Sequence, residues 1–204
     1  MAQPANEASL HGFNVAVLVT DGFEQAELTG PCDALETAGA MTRIISNKRG
    51  KIQGYHHDAK GDQFEVNLTF DEAEPDSFDA VLLPGGARNA EQIRSIPEAQ
   101  HFVRGMQEEG KPIAAICHGL SLLVSAGLIK GRTLTSSPAL QEDIRNAGGN
   151  WVDQEVVEDG NLVSSRNLSD IPAFNRKMIE TMAKHVRINV RGTADERPDV
   201  GAGS

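Results

Sequence analysis

The sequence has 204 residues, 39% hydrophobic and 24% charged, which suits one sizeable domain with a buried core and excludes a disordered chain. Its formal net charge of −10 repels phosphate backbones and no basic block offsets it, so no nucleic-acid partner is expected. No apolar run approaches the roughly 18 residues that span a bilayer, so no membrane partner is expected either.

Residues 1–12 are polar and aperiodic and read as a flexible arm. They lack the basic and apolar regions of a secretory signal. The stretch "NVAVLVT" (14–20) is a continuous β-branched run, as in a strand buried on both faces. The turn "DGFE" follows, then a helix from about 28 or 31 to 38, stopped by Gly39. "TRIIS" (42–46) is a second strand. "GYHHDAKGD" (54–62) reads as a solvated loop, with a substrate, metal or interface contact as the alternatives. "FDAVLLPGG" (78–86) is a buried strand ended by a Pro-Gly-Gly breaker.

A helix over 97–109 leads to the strand "KPIAAIC", and "LSLLVSA" continues as a helix stopped by Gly127. "RTLTS" (132–136) is a further strand. Ser137-Pro138 has the form of an N-cap with proline at the first helical position. "WVDQEVVEDGNLVSSR" reads as a hairpin turning at Asp159-Gly160. The last helix begins near Pro172 and carries Phe174, Met178 and Met182 on one stripe. From Arg187 the chain is rich in glycine, proline and charge and reads as a flexible tail, which leaves a single domain over 13–186. Alternating strands and helices with buried strands imply an α/β fold with a mainly parallel sheet and helices on both faces. Sites in such sheets lie at the carboxyl ends of the strands, here the loops after Thr20, Leu83, Ile116 and Thr135.

Two cysteines, Cys32 and Cys117, form neither a disulfide framework nor a metal-ligand spacing, which fits a cytoplasmic protein with reduced thiols. Cys32 has helical core spacing and reads as structural. Cys117 lies in "AICHG", a small-x-nucleophile-x-small pattern that places a cysteine where a nucleophile elbow places serine. The alternative is a buried structural cysteine. Glu24 follows the first strand and is expected at the same sheet edge, as a carboxyl beside the thiol or as a helix-end carboxylate. Gly85 and Gly86 end a strand where backbone N–H groups, with that of His118, form an oxyanion hole, or else make an ordinary turn.

The segments "DGFEQAEL", "DAVLLPGG", "IAAICHG", "NAGGNWVDQEVVEDGNLVSSR" and "IPAFNRKMIE" follow one another in an order that resembles the PfpI/ThiJ family, in particular its PfpI-type branch, over roughly residues 13–185. The resemblance implies a flavodoxin-like sandwich related to class I glutamine amidotransferase domains. It implies a reactive Cys117 beside His118, with Glu24 as the first-loop glutamate that supports the thiol. It also implies that Glu91, reaching over from a neighbouring subunit, completes a Cys-His-Glu triad, although the loop before it is one residue longer than in archaeal relatives. A homodimer or homohexamer is expected on the same ground. Leu120 and Ser137 depart from the family's usual residues beside the pocket.

Three cysteine-dependent reactions then stand open, none needing a metal or an organic cofactor. They are glyoxalase III-type conversion of a small aldehyde, deglycation of protein adducts, and peptide hydrolysis of the PfpI type. The alternative from another class is a stress protein or chaperone that senses oxidation at Cys117.

Overall fold

The computed structural model of the protein describes residues 9–195. In chain order its elements are β1 (Asn14–Leu18), β2 (Phe23–Glu24), α1 (Gln25–Thr37), β3 (Met41–Ser46), β4 (Lys51–His56), β5 (Ala59–Glu65) and β6 (Leu68–Thr69). Then come β7 (Ala80–Leu83), α2 (Ala87–Ile93), α3 (Pro97–Glu108), β8 (Ile113–Ile116), α4 (Leu120–Ser125) and β9 (Thr133–Leu134). The chain continues through α5 (Gln141–Asn146), β10 (Asn150–Trp151), β11 (Val156–Asp159), β12 (Leu162–Ser165) and α6 (Ile171–Asp195).

A seven-stranded sheet runs in the order β11-β12-β8-β7-β1-β3-β6 among the described residues. Every neighbouring pair is parallel except β11 on β12. The run β3-β1-β7-β8-β12 has the 2-1-3-4-5 strand order of flavodoxin-like sheets, whose crevice opens where the order reverses, here between β1 and β7.

The strand run 14–20 shows why both faces are covered. Val15, Val17 and Val19 join one core with Leu28, Leu35, Phe174 and Met178, from α1 and α6. Ala16 and Leu18, alternating with them, join the other with Phe102, Met106, Leu122 and Ile144, from α3, α4 and α5. Trp151 packs against this second core and donates its ring N–H to the Ser136 hydroxyl at 3.0 Å. No helix among the described residues is long and apolar enough to cross a membrane.

Several expectations change. The segment 51–65 is a β4–β5 hairpin that joins β2 in a small second sheet, not a loop. Strand β9 pairs with β10 outside the main sheet. Ser137 does stand at the N-cap position with Pro138 after it, but the turn it opens is a 3-10 turn over Pro138–Leu140 that leads into α5, and its side chain makes no cap bond. Helix α1 starts at Gln25, before Leu28, and keeps Pro31 inside it. Leu10 is buried and bonds Ala38, so the chain is already packed inside the expected arm. Helix α6 runs past Arg187 to Asp195. The remainder of both expected termini lies outside the described residues.

Candidate active site

Strand β8 delivers Cys117 at its carboxyl end, and there the backbone turns sharply. Cys117 has φ 58°, in the left-handed region, where a side chain costs about 1–2 kcal/mol. A 3-10 turn over Cys117–Gly119 runs directly into α4. The small residues of the motif are required by space. A Cβ on Gly119 would collide with the Leu83 carbonyl oxygen, and Ala115 is fully buried. The tight turn also overrides the usual divergence of adjacent side chains: His118 Nδ1 lies 3.2 Å from Cys117 Sγ. Burial lowers the His118 pKa, which favours a neutral ring able to accept a proton. The segment after β9 does reach this corner, where the Ser137 N–H donates to the Cys117 carbonyl at 3.2 Å.

The carboxyl against the thiol is Glu27, and Glu24 is corrected in that role. Glu27 is 2% exposed and interacts with the Cys117 side chain and with the Gly85 backbone N–H. Its Oε2 is fully buried and has no partner of full hydrogen-bond geometry. A Cβ on Gly85 would collide with that oxygen, which is why glycine stands there. Burial above all, and then the charge of Glu24, push the Glu27 pKa up to about 8. Burial likewise pushes the Cys117 thiol up, an ionised Glu27 adds to this, and the His118 backbone N–H works the other way. Because Glu27 is neutral below about pH 8, it faces the sulfur as a hydrogen-bond donor.

Glu24 lies at the same sheet edge, but its Oε2 accepts from the His57 N–H at 3.0 Å and sits 3.7 Å from the His57 ring. The hairpin, expected as a solvated loop with substrate contact among the alternatives, therefore lends its tip to the site. Its other histidine, His56, is exposed. Glu91 is exposed on α2 and is not among the residues that line the pocket holding Cys117. Gly86 lines the pocket, with φ 96° and no room for a Cβ against the Glu24 nitrogen and the Gly22 carbonyl. Leu120 is fully buried in the core and Ser137 is 9% exposed, and neither lines the pocket. Cys32 is buried on α1 with its thiol pushed up to about 12 by burial, as a structural residue should be.

The pocket above Cys117 has a volume of about 340 Å³. Cys117, His118, Glu27 and Gly86 form its floor, and Arg88, 5.0 Å over the Tyr55 ring, stands at its side. Asn167 and Leu168 close another wall. That wall is braced by Arg166, which holds Asp170 through Nε and Nη2 at 2.9 and 3.0 Å. Among the described residues no group of three His, Cys, Asp or Glu side chains is arranged to hold a metal ion. Glu27 had a signal in the sequence. It precedes Pro31 and Leu35 by four and eight residues, so it sits on the buried stripe of α1.

Comparison with known proteins finds similar chains over most of the sequence. The profile of the DJ-1/PfpI family matches residues 13–181. A deglycase of Thermococcus kodakarensis is 44% identical over 168 residues, 82% of this chain and 98% of that one. Protein/nucleic acid deglycase 2 of Escherichia coli is 41% identical over 173 residues, covering 82% and 96%. The crystal structure of Drosophila melanogaster DJ-1beta superposes with a TM-score of 0.76 at 27% identity, covering 89% and 97%.

Proposed function

Because the chain belongs to the DJ-1/PfpI family, we propose that it is a cysteine-dependent enzyme of the deglycase type, with Cys117 adding to the carbonyl carbon of a small aldehyde or of an early glycation adduct. The observation that carries this reading is the Cys117 thiol, held on a left-handed turn against the buried carboxyl of Glu27 at the floor of the pocket. The deglycase names of its relatives support the same class. The E. coli relative's name extends to nucleic acids, but a net charge of −10 disfavours holding a polyanion by its backbone, so protein adducts and free aldehydes are the substrates inferred.

The steps follow from the groups present. The thiol proton passes to His118, and neutral Glu27 stabilises the thiolate by hydrogen bonding. Sulfur bonds to the aldehyde carbon, and the carbonyl pair moves to oxygen, where the N–H of Gly86 and that of His118 receive the charge. His118 returns the proton it took to that oxygen, and the product is a hemithioacetal. For methylglyoxal, the proton on that carbon passes to the neighbouring carbon and the hydroxyl proton passes to the ketone oxygen, which gives a lactoyl thioester. Water then cleaves the C–S bond to release lactate and regenerate the thiol. One water is added overall; the aldehyde carbon is oxidised as the ketone carbon is reduced, so no external oxidant enters.

The test is lactate formation from methylglyoxal, followed by NMR in buffer free of thiols and amines. Reduced wild-type protein should turn over, and Cys117→Ser should not. Glu27→Gln should lose roughly 10²–10⁴ in rate, and Glu24→Gln far less. Absence of lactate from fully reduced wild type would sink the aldehyde reading and transfer the case to peptide substrates or to oxidation sensing.

A further inference from the structure

The turn after β7 is held by a side chain that none of the chemistry above uses. Asn89, on α2, is 1% exposed. Its Oδ1 accepts from the Thr20 N–H at 2.8 Å and from the Thr20 hydroxyl at 3.0 Å. Its Nδ2 donates to the Pro84 carbonyl at 3.1 Å and to the Gly85 carbonyl at 3.2 Å. Both hydrogens and both lone-pair directions of the amide are thus engaged, out of reach of water. One buried side chain ties the end of β1 to the end of β7, across the crevice where the strand order reverses.

Peptide planarity carries this grip to the reacting groups. In a trans peptide the C=O and the N–H point in opposite directions, and the described residues contain no cis peptide. The Pro84 carbonyl points at Asn89, so the N–H of Gly85 in the same plane points the other way, toward the Glu27 carboxyl with which it interacts. The Gly85 carbonyl points at Asn89 and also accepts from the Glu24 N–H at 3.3 Å. The N–H of Gly86 is therefore turned away from Asn89, and Gly86 lines the pocket.

We propose that Asn89 is a positioning residue: it sets the planes of two consecutive peptides, so that one N–H serves Glu27 and the next serves the oxyanion. The oxyanion half rests on the carbonyl-addition reading. The Glu27 half requires no substrate, so the two can fail separately.

The test uses Asn89→Ser, which is neutral and lacks the amide donors, and Asn89→Asp, which keeps an acceptor for Thr20 but cannot donate to the carbonyls. Each is made alone and with Cys117→Ser, where Glu27 titrates without the thiol. Cys117 and, through space, Glu24 are the titratable groups facing Glu27, and Glu24 is unchanged throughout. The Glu27 midpoint is read by carbon NMR of the carboxyl, and kcat and KM are read with methylglyoxal. Both variants should raise the Glu27 midpoint, and kcat should fall roughly ten- to hundredfold with KM little changed.

An Asn89→Ser protein with wild-type midpoint and kcat would overturn the proposal, even if it melts earlier, because Asn89 would then be only a brace. A shift confined to Asn89→Asp would also overturn it, since that reports added charge. With Asn89 intact, the Gly85 amide nitrogen should titrate in step with Glu27, and a flat signal there would count equally against the proposal.

Discussion

Glu27 is a carboxyl on the buried face of α1, among Leu28, Pro31 and Leu35, and its pKa has consequences beyond the proposed reaction. The folded value of about 8 lies above the 4.5 of an unperturbed glutamic acid. Between those two values the unfolded chain has released the proton and the native one retains it. Stability contributed below pH 4.5 is therefore lost as pH rises toward 8, by about 3 kcal/mol at pH 7. Glu27→Gln should accordingly raise the thermal midpoint at pH 7–8 and leave it nearly unchanged at pH 4. Equal shifts at both pH values would contradict the burial of an acidic proton. The sequence points to Glu24 because it follows the first strand, and with the helix expected only from 28 or 31, Glu27 offers no helical position to consider. Once α1 begins at Gln25, residue 27 falls in its first turn, beside the strand ends.

At the scale of elements, β1, β7 and β8 were legible because each is a short, continuous apolar run, whereas the two-residue β6 carries no pattern to read. The elbow was legible because "AICHG" carries its steric demand in its composition. The β4–β5 hairpin was not, since it is half exposed and takes its place from side-chain bonds. Gln25 on α1 donates to Asp62 at 2.7 Å and accepts from the Asp62 N–H at 2.7 Å. Such a cross-element pair leaves no periodicity to read. Helix α2 was missed because a seven-residue helix is too short to show a pattern, and Asn89, which holds the turn, went with it. A Cβ on Gly61 would collide with the Gln25 side-chain oxygen. Gly61→Ala should therefore displace the Gln25 side chain, break its two bonds to Asp62 and loosen the hairpin that brings His57 to Glu24. The expected result is a fall in kcat/KM of about tenfold or more with a folded circular-dichroism spectrum. Unchanged kinetics would mean that the hairpin tip is a bystander.

For the whole molecule, the open matter is what covers α2. Glu91 stands exposed there, and the resemblance that implies a triad also implies that this carboxylate serves a neighbouring copy. Sedimentation should then show an assembly larger than one chain, and Glu91→Gln should reduce turnover. Mixing Glu91→Gln with Cys117→Ser under subunit exchange should restore part of the lost activity, because each supplies what the other lacks. No recovery on mixing would confine the chemistry to Cys117, His118 and Glu27 of a single chain.

The left-handed turn at Cys117 bears on how such a protein can change. Glycine occupies that region of backbone space without penalty, whereas cysteine does not. Replacing Cys117 by glycine would relax the corner, and the same change removes its thiol. Selection for robustness and selection for reactivity pull this one residue in opposite directions, and a lineage released from the second would be expected to drift toward a steadier, inert copy of the same fold.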